Sequence, residues 1–166
     1  MAVTIKRDGY GQVEPNHLSA PRNGQVYAQL PAAEDIEVLE QGMYVKYDYA
    51  AGECNFDGAD GEWMLVFNEE KLYDERKQMH KDYAMPKSEA LNGVMTPRVF
   101  KTMIGDIYTT NMVKEESLTV GDKLVVGTTG VLEKKATPTA TEMVWKVVKE
   151  TTMPDMQPAV KIQRVQ

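Results

Sequence analysis

A single cysteine, Cys54, and two histidines, His17 and His80, are all that the 166 residues of this chain offer to thiol or imidazole chemistry. One thiol cannot close an internal disulfide, and a free thiol fits a reducing compartment. A zinc centre or a Cys–His nucleophile needs several such groups at a recognisable local spacing. Here the three residues fall in three separate segments. No stretch reaches the roughly 18–20 apolar residues that span a bilayer, and no apolar signal core follows Met1. No Gly-x-Ser-x-Gly turn offers a hydrolase serine, and no Gly-Lys-Ser/Thr opens a helix to cradle a phosphate. These absences lead us to expect no catalytic residue, no cofactor, no metal and no membrane span, in a protein made in the cytoplasm.

Excess positive charge is missing too. The chain carries 25 acidic and 19 basic residues, a net charge of -6. That balance opposes tracking along a polyanion unless basic groups gather on one face. The densest basic positions, Lys71, Arg76, Lys77 and Lys81, are interleaved with Glu69, Glu70, Asp74, Glu75 and Asp82. Nucleic acid is not an expected partner. The acidic loop 55–62 is the place to look for calcium, but if Asn55 and Asp57 took the first ligand positions, Ala59 would fall where an oxygen is needed. Asp60 would then occupy the glycine position. The loop reads as a solvated turn, in which Asp57, Asp60 and Glu62 are the groups an irregular ion site would use.

What is present is organised as short apolar runs between turn residues. Residues 1–35 are broken by Pro15, Pro21, Pro31, Asp8-Gly9 and Asn23-Gly24 and read as an extended N-terminal arm. Residues 36–166 read as one β-rich domain, divisible into sub-lobes 36–97 and 98–166. In the first, runs at 36–39, 43–49 and 63–67 are rich in aromatic and β-branched residues. Met43, Val45, Tyr47 and Tyr49 alternate with Tyr44, Lys46 and Asp48, the pattern of a half-buried strand. The stretch 68–83 is the helix candidate, with Asn68 as N-cap and Leu72, Met79 and Tyr83 on one side.

Beyond Pro97 the runs 98–104, 106–110, 117–120, 123–126, 131–134, 143–149 and 159–165 follow at strand length, separated by Gly, Pro and Asp. Gly121-Asp122 reads as a turn and 127–130 as a hairpin loop whose glycines accept positive φ. The expected fold is mainly β: a small barrel or sandwich of short antiparallel strands with the N-terminal arm and at most one short helix.

Methionine is abundant, with 11 residues, and Met85, Met95, Met103, Met112, Met153 and Met156 fall mostly in connecting segments. Such side chains fill gaps in a core or adapt to a partner's surface. Tyr44, Tyr47, Tyr49, Trp63 and Trp145 could serve either a core or an interface.

The order Ser117-Leu118-x-Val120-Gly121-Asp122-x-Leu124-x-Val126-Gly127, a short Gly turn, Val131-Leu132-x-Lys134, then Val147 and Ala159-Val160-Lys161-Ile162 resembles the small β-barrel head decoration (cement) proteins of tailed bacteriophages. The likeness spans the C-terminal third. It implies a non-enzymatic virion protein on the capsid surface, without cofactor, that clamps neighbouring copies of the major capsid protein after shell expansion. It also implies a homo-oligomer, commonly a trimer. On that reading the contacts are expected in the arm, at Val3, Ile5, Tyr10, Val13, Val26, Tyr27 and Leu30, and at the loop methionines Met95 and Met112. Two alternatives stay open. A tail, baseplate or connector component would share the composition. A carbohydrate-binding or host-adhesion module would present Tyr44, Tyr47, Trp63 or Trp145 as a platform beside the acidic loop. An enzyme would need an enclosed pocket containing His80 or paired carboxylates.

Overall fold

The computed structural model describes residues 2–58, 61–68, 84–114 and 116–166. The helix expected over 68–83 lies outside them, apart from Asn68. Within the described residues, fifteen short strands succeed one another. The first seven are β1 (Val3–Thr4), β2 (Val13–His17), β3 (Val26–Tyr27), β4 (Val38–Glu40), β5 (Tyr44–Asp48), β6 (Glu53–Asn55) and β7 (Met64–Val66). Then come β8 (Ala84–Pro86), β9 (Val99–Phe100), β10 (Ile107–Thr110) and β11 (Ser117–Leu118). The last four are β12 (Lys123–Val126), β13 (Leu132–Lys134), β14 (Val144–Thr152) and β15 (Pro158–Arg164). A four-residue helix, Ala20–Asn23, and two single 3-10 turns complete the regular structure.

Pairing is antiparallel throughout the named strands. A six-stranded sheet runs β13-β12-β14-β15-β10-β2 and a five-stranded sheet runs β3-β9-β7-β5-β6, with β1-β11 and β4-β8 as separate two-stranded ribbons. The architecture is a sandwich, without a closed barrel.

The five-stranded sheet is covered on both faces, because side chains at successive strand positions point to opposite sides. Tyr44, Leu65 and Phe100 enter one core with Tyr108, Leu124, Trp145, Val147, Val160 and Ile162 of the six-stranded sheet. Val45, Tyr47, Met64, Val66 and Val99 enter a second core with Leu39, Met95 and Met112. The half-buried strand expected at 43–49 is therefore a central one. Met43, Val45 and Tyr47 do share a face, but Tyr44 is fully buried on the other, and Tyr49 lies out at the turn, 67% exposed.

Residues 2–35 pack along the chain's own body. β1 pairs with β11, and the Ile5 amide donates to the Glu116 carbonyl at 3.0 Å. β2 and β3 are edge strands of the two large sheets, and Ala33 donates to the Cys54 carbonyl at 2.9 Å. The physical reason lies in the sparse apolar residues between the prolines: Ile5, Val13, Leu18 and Ala20 all enter the core shared by the two sheets. Two of the prolines sit where a missing donor costs little. Pro15 sits in an edge strand, where one side needs no donor. Pro21 sits in the first turn of the short helix.

Candidate interaction surface

Among the described residues no three His, Cys, Asp or Glu side chains converge as a metal site would require, and no helix is long and apolar enough to cross a membrane. In the acidic loop, the Asp57 amide donates to Asn55 Oδ1 at 3.3 Å. Glu62 turns towards Lys101 and Arg164, at 3.9 and 3.8 Å. Asp60 and His80 lie outside the described residues, and His17 is exposed at the end of β2.

Cys54 is buried in the second core, and burial pushes its thiol up to about 12. Near pH 8 only about one such thiol in ten thousand is ionised, four units below its midpoint. A thiol-exchange reagent at that pH should therefore leave the native protein unmodified and label it fully in concentrated urea. Rapid labelling of the native state would show that the core around β6 opens. Burial likewise raises the phenols of Tyr44 and Tyr108. The sign follows from linkage: the folded state holds protons that the unfolded chain releases above about pH 8.5 for a thiol and about 10 for a phenol. The contribution of these three groups to stability should be flat below about pH 8 and decline as the pH rises through the alkaline range.

The contact residues expected from sequence are mostly interior. Ile5, Val13, Met95 and Met112 are buried in the chain's own cores, so they hold the fold together and are not open to a partner. Met112 is enclosed closely enough that a Cβ on Gly42 would lie 2.6 Å from its own Cβ. Val3, Val26, Tyr27 and Leu30 are partly buried and pack against the same cores. Tyr10 alone of the nine is open, 48% exposed. The aromatic platform fares similarly. Tyr44, Tyr47 and Trp145 are core residues, and half-buried Trp63 has the Lys46 ammonium 4.8 Å above its ring. Tyr49, outside that platform, is exposed with its ring edge-on to Tyr47 at 5.9 Å.

A surface that the sequence reading missed is built at residues 102–106. Here the chain leaves β9 and turns tightly, the Asp106 amide donating to the Met103 carbonyl at 3.0 Å. The buried Asp106 carboxylate fixes the turn from within, accepting from the Met103 amide at 2.9 Å, the Ser19 amide at 3.0 Å and Ser19 Oγ at 2.8 Å. Arg164 secures the other side. Its amide donates to the Asp106 carbonyl at 2.9 Å, its guanidinium donates to the Thr102 carbonyl and to Thr102 Oγ1, and its own carbonyl accepts from Gly105. The result is an ordered knuckle that holds apolar side chains in water: Ile104 is 72% exposed and Met103 45%, and Val165, next in the chain to Arg164, is 41% exposed.

Isolated apolar residues on a surface are ordinary, but several held together on an ordered turn mark a contact site. In the sequence, 98–104 reads as continuous strand because Val99, Phe100 and Ile104 favour β structure; only Gly105-Asp106 hints at the turn. No protein-family model, no curated protein and no solved structure matches this chain.

Proposed function

We propose that the chain is a non-enzymatic virion structural protein that decorates the capsid of a tailed phage, binding and stabilising the lattice of its major capsid protein as a homo-oligomer. The observation that carries this reading is the knuckle of Met103, Ile104 and Val165, held in place by hydrogen bonds to buried Asp106 and to Arg164. An apolar contact that is already ordered loses little conformational freedom on docking. The resemblance over residues 117–162 supports the choice of partner. A clamp of this kind acts by mass action: it binds the assembled lattice and not the free subunit, and so shifts the equilibrium towards the shell.

The reading is tested by co-sedimentation with empty shells of the major capsid protein produced alongside the chain. The wild type should pellet with shells. Ile104→Glu, which alters an exposed position and leaves the fold intact, should weaken binding by about tenfold or more, the cost of placing a charge in a desolvated apolar contact. Equal binding by both proteins would remove the knuckle from the interface.

A further inference from the structure

The outer face of the six-stranded sheet carries charge that no described carboxylate answers. In the register of β12, β14 and β15, Lys123 lies directly opposite Lys146, and Lys149 directly opposite Lys161. Trp145 and Val147 of β14 point into the core, so Lys146 between them points away from it. An irregularity between Val147 and Lys149 turns Lys149 out as well. Like charges directly across a strand pair repel and cost stability. Among the described residues none of these four lysines has a carboxylate partner. Nearby acids are engaged elsewhere: Glu133 with Lys114 at 3.6 Å, Glu142 with Lys135 at 2.5 Å and Asp122 with Lys134 at 2.7 Å. Glu14 shares the row of Lys149, Lys161 and Thr109 but stands at the sheet's far edge.

The five-stranded sheet holds the converse arrangement. The β5–β6 hairpin sets Asp48 directly opposite Glu53, beside the exposed ring of Tyr49. The Ala50 and Ala51 amides donate to Asp48 Oδ1 at 3.0 and 2.9 Å and fix that carboxylate. Directly opposed residues on antiparallel strands have Cβ atoms about 5 Å apart whatever the side chain. The acid pair therefore has the spacing of either lysine pair. The two cannot meet within one molecule, because the core containing Trp145 and Tyr44 separates the lysine face from the five-stranded sheet.

We infer that the lysine face of one copy receives the Asp48–Glu53 hairpin of a second copy, head to tail. Such an interface is heterologous: it joins different patches on the two partners and propagates to a closed ring or an open chain. The inference does not rest on the capsid reading.

Charge exchange tests it, read as mass by sedimentation velocity with circular dichroism as the check on folding. The wild type should be larger than a monomer at low ionic strength and monomeric at high salt. Lys146→Glu with Lys149→Glu removes the cationic patch. Asp48→Asn with Glu53→Lys removes the acid pair while keeping the oxygen that accepts from Ala50 and Ala51. Each double variant should be monomeric at low salt. Mixed in equal amounts they should form a one-to-one dimer, since one retains the hairpin and the other the lysine face. A wild type that stays monomeric at low salt overturns the inference, as does association that neither double variant alters. A monomeric wild type that instead binds duplex DNA through the same lysines would assign the face to nucleic acid, and overturns it equally.

Discussion

Replacing Trp145 with alanine should lower the free energy of unfolding by about 3–5 kcal/mol, the range for deleting a large buried aromatic side chain. Trp145 is fully buried where β14 meets the five-stranded sheet. The Tyr108 ring lies edge-on to it at 4.9 Å, and the Tyr44 ring is tilted at 6.2 Å. Those two tyrosines are themselves joined, Oη to Oη, at 2.6 Å. Removing the indole thus strips contacts from residues of both sheets and leaves a cavity that their fixed strands cannot close. Trp145→Phe should cost much less, because among the described residues the buried indole N–H has no hydrogen-bond partner to lose. Urea titration followed by far-ultraviolet circular dichroism measures both. A cost below about 1 kcal/mol for the alanine variant would show that this core is not the joint between the sheets.

Gly130→Ala should destabilise by about 3 kcal/mol or more, for two reasons that add. Gly130 has φ of 74°, a conformation that side-chain-bearing residues adopt at a cost. A Cβ there would also lie 2.3 Å from the Tyr44 carbonyl oxygen and 2.7 Å from the Phe56 ring. The crowding has a cause, since the Gly130 carbonyl accepts from the Tyr44 amide at 2.8 Å and so anchors the β12–β13 loop on β5. Gly52 is the control: it has φ of 74° with nothing within 4 Å. Gly52→Ala should cost only the backbone term, about 1 kcal/mol. Equal losses at the two positions in thermal unfolding would show that close approach at Gly130 contributes nothing.

Strand positions in the C-terminal half were legible, because each is a local apolar run bounded by its own turn residue. The run 123–126 is β12, and 131–134 contains β13. The loop between them was legible as well, although only Gly130 of its two glycines takes positive φ, Gly127 serving instead as a point of close packing. Long-range pairing was not legible. Val13–His17 contains a proline and four exposed residues, so nothing local marks it as a strand until β10 supplies the partner. Pro86 similarly ends a short strand whose role depends on Val38.

The same limit hid the surfaces. Asp106 looks like a turn aspartate until the fold brings Ser19 to it from 87 positions away. Lys123, Lys146, Lys149 and Lys161 are scattered among acids in sequence and become one face only through register. The methionines divide for a related reason. Met95, Met112 and Met153 are buried, whereas Met103 and Met156 sit exposed on turns. Position in a connecting segment does not distinguish these outcomes.

The central claim, that this sandwich works by coating an assembled lattice, is tested most directly by the stoichiometry of binding to empty shells and to unassembled capsid protein. Saturation at a fixed, simple ratio to capsid subunits, with no binding to the free subunit, is the result expected of a decoration protein. Binding at only a few sites per shell, or equal binding to shell and free subunit, would contradict it.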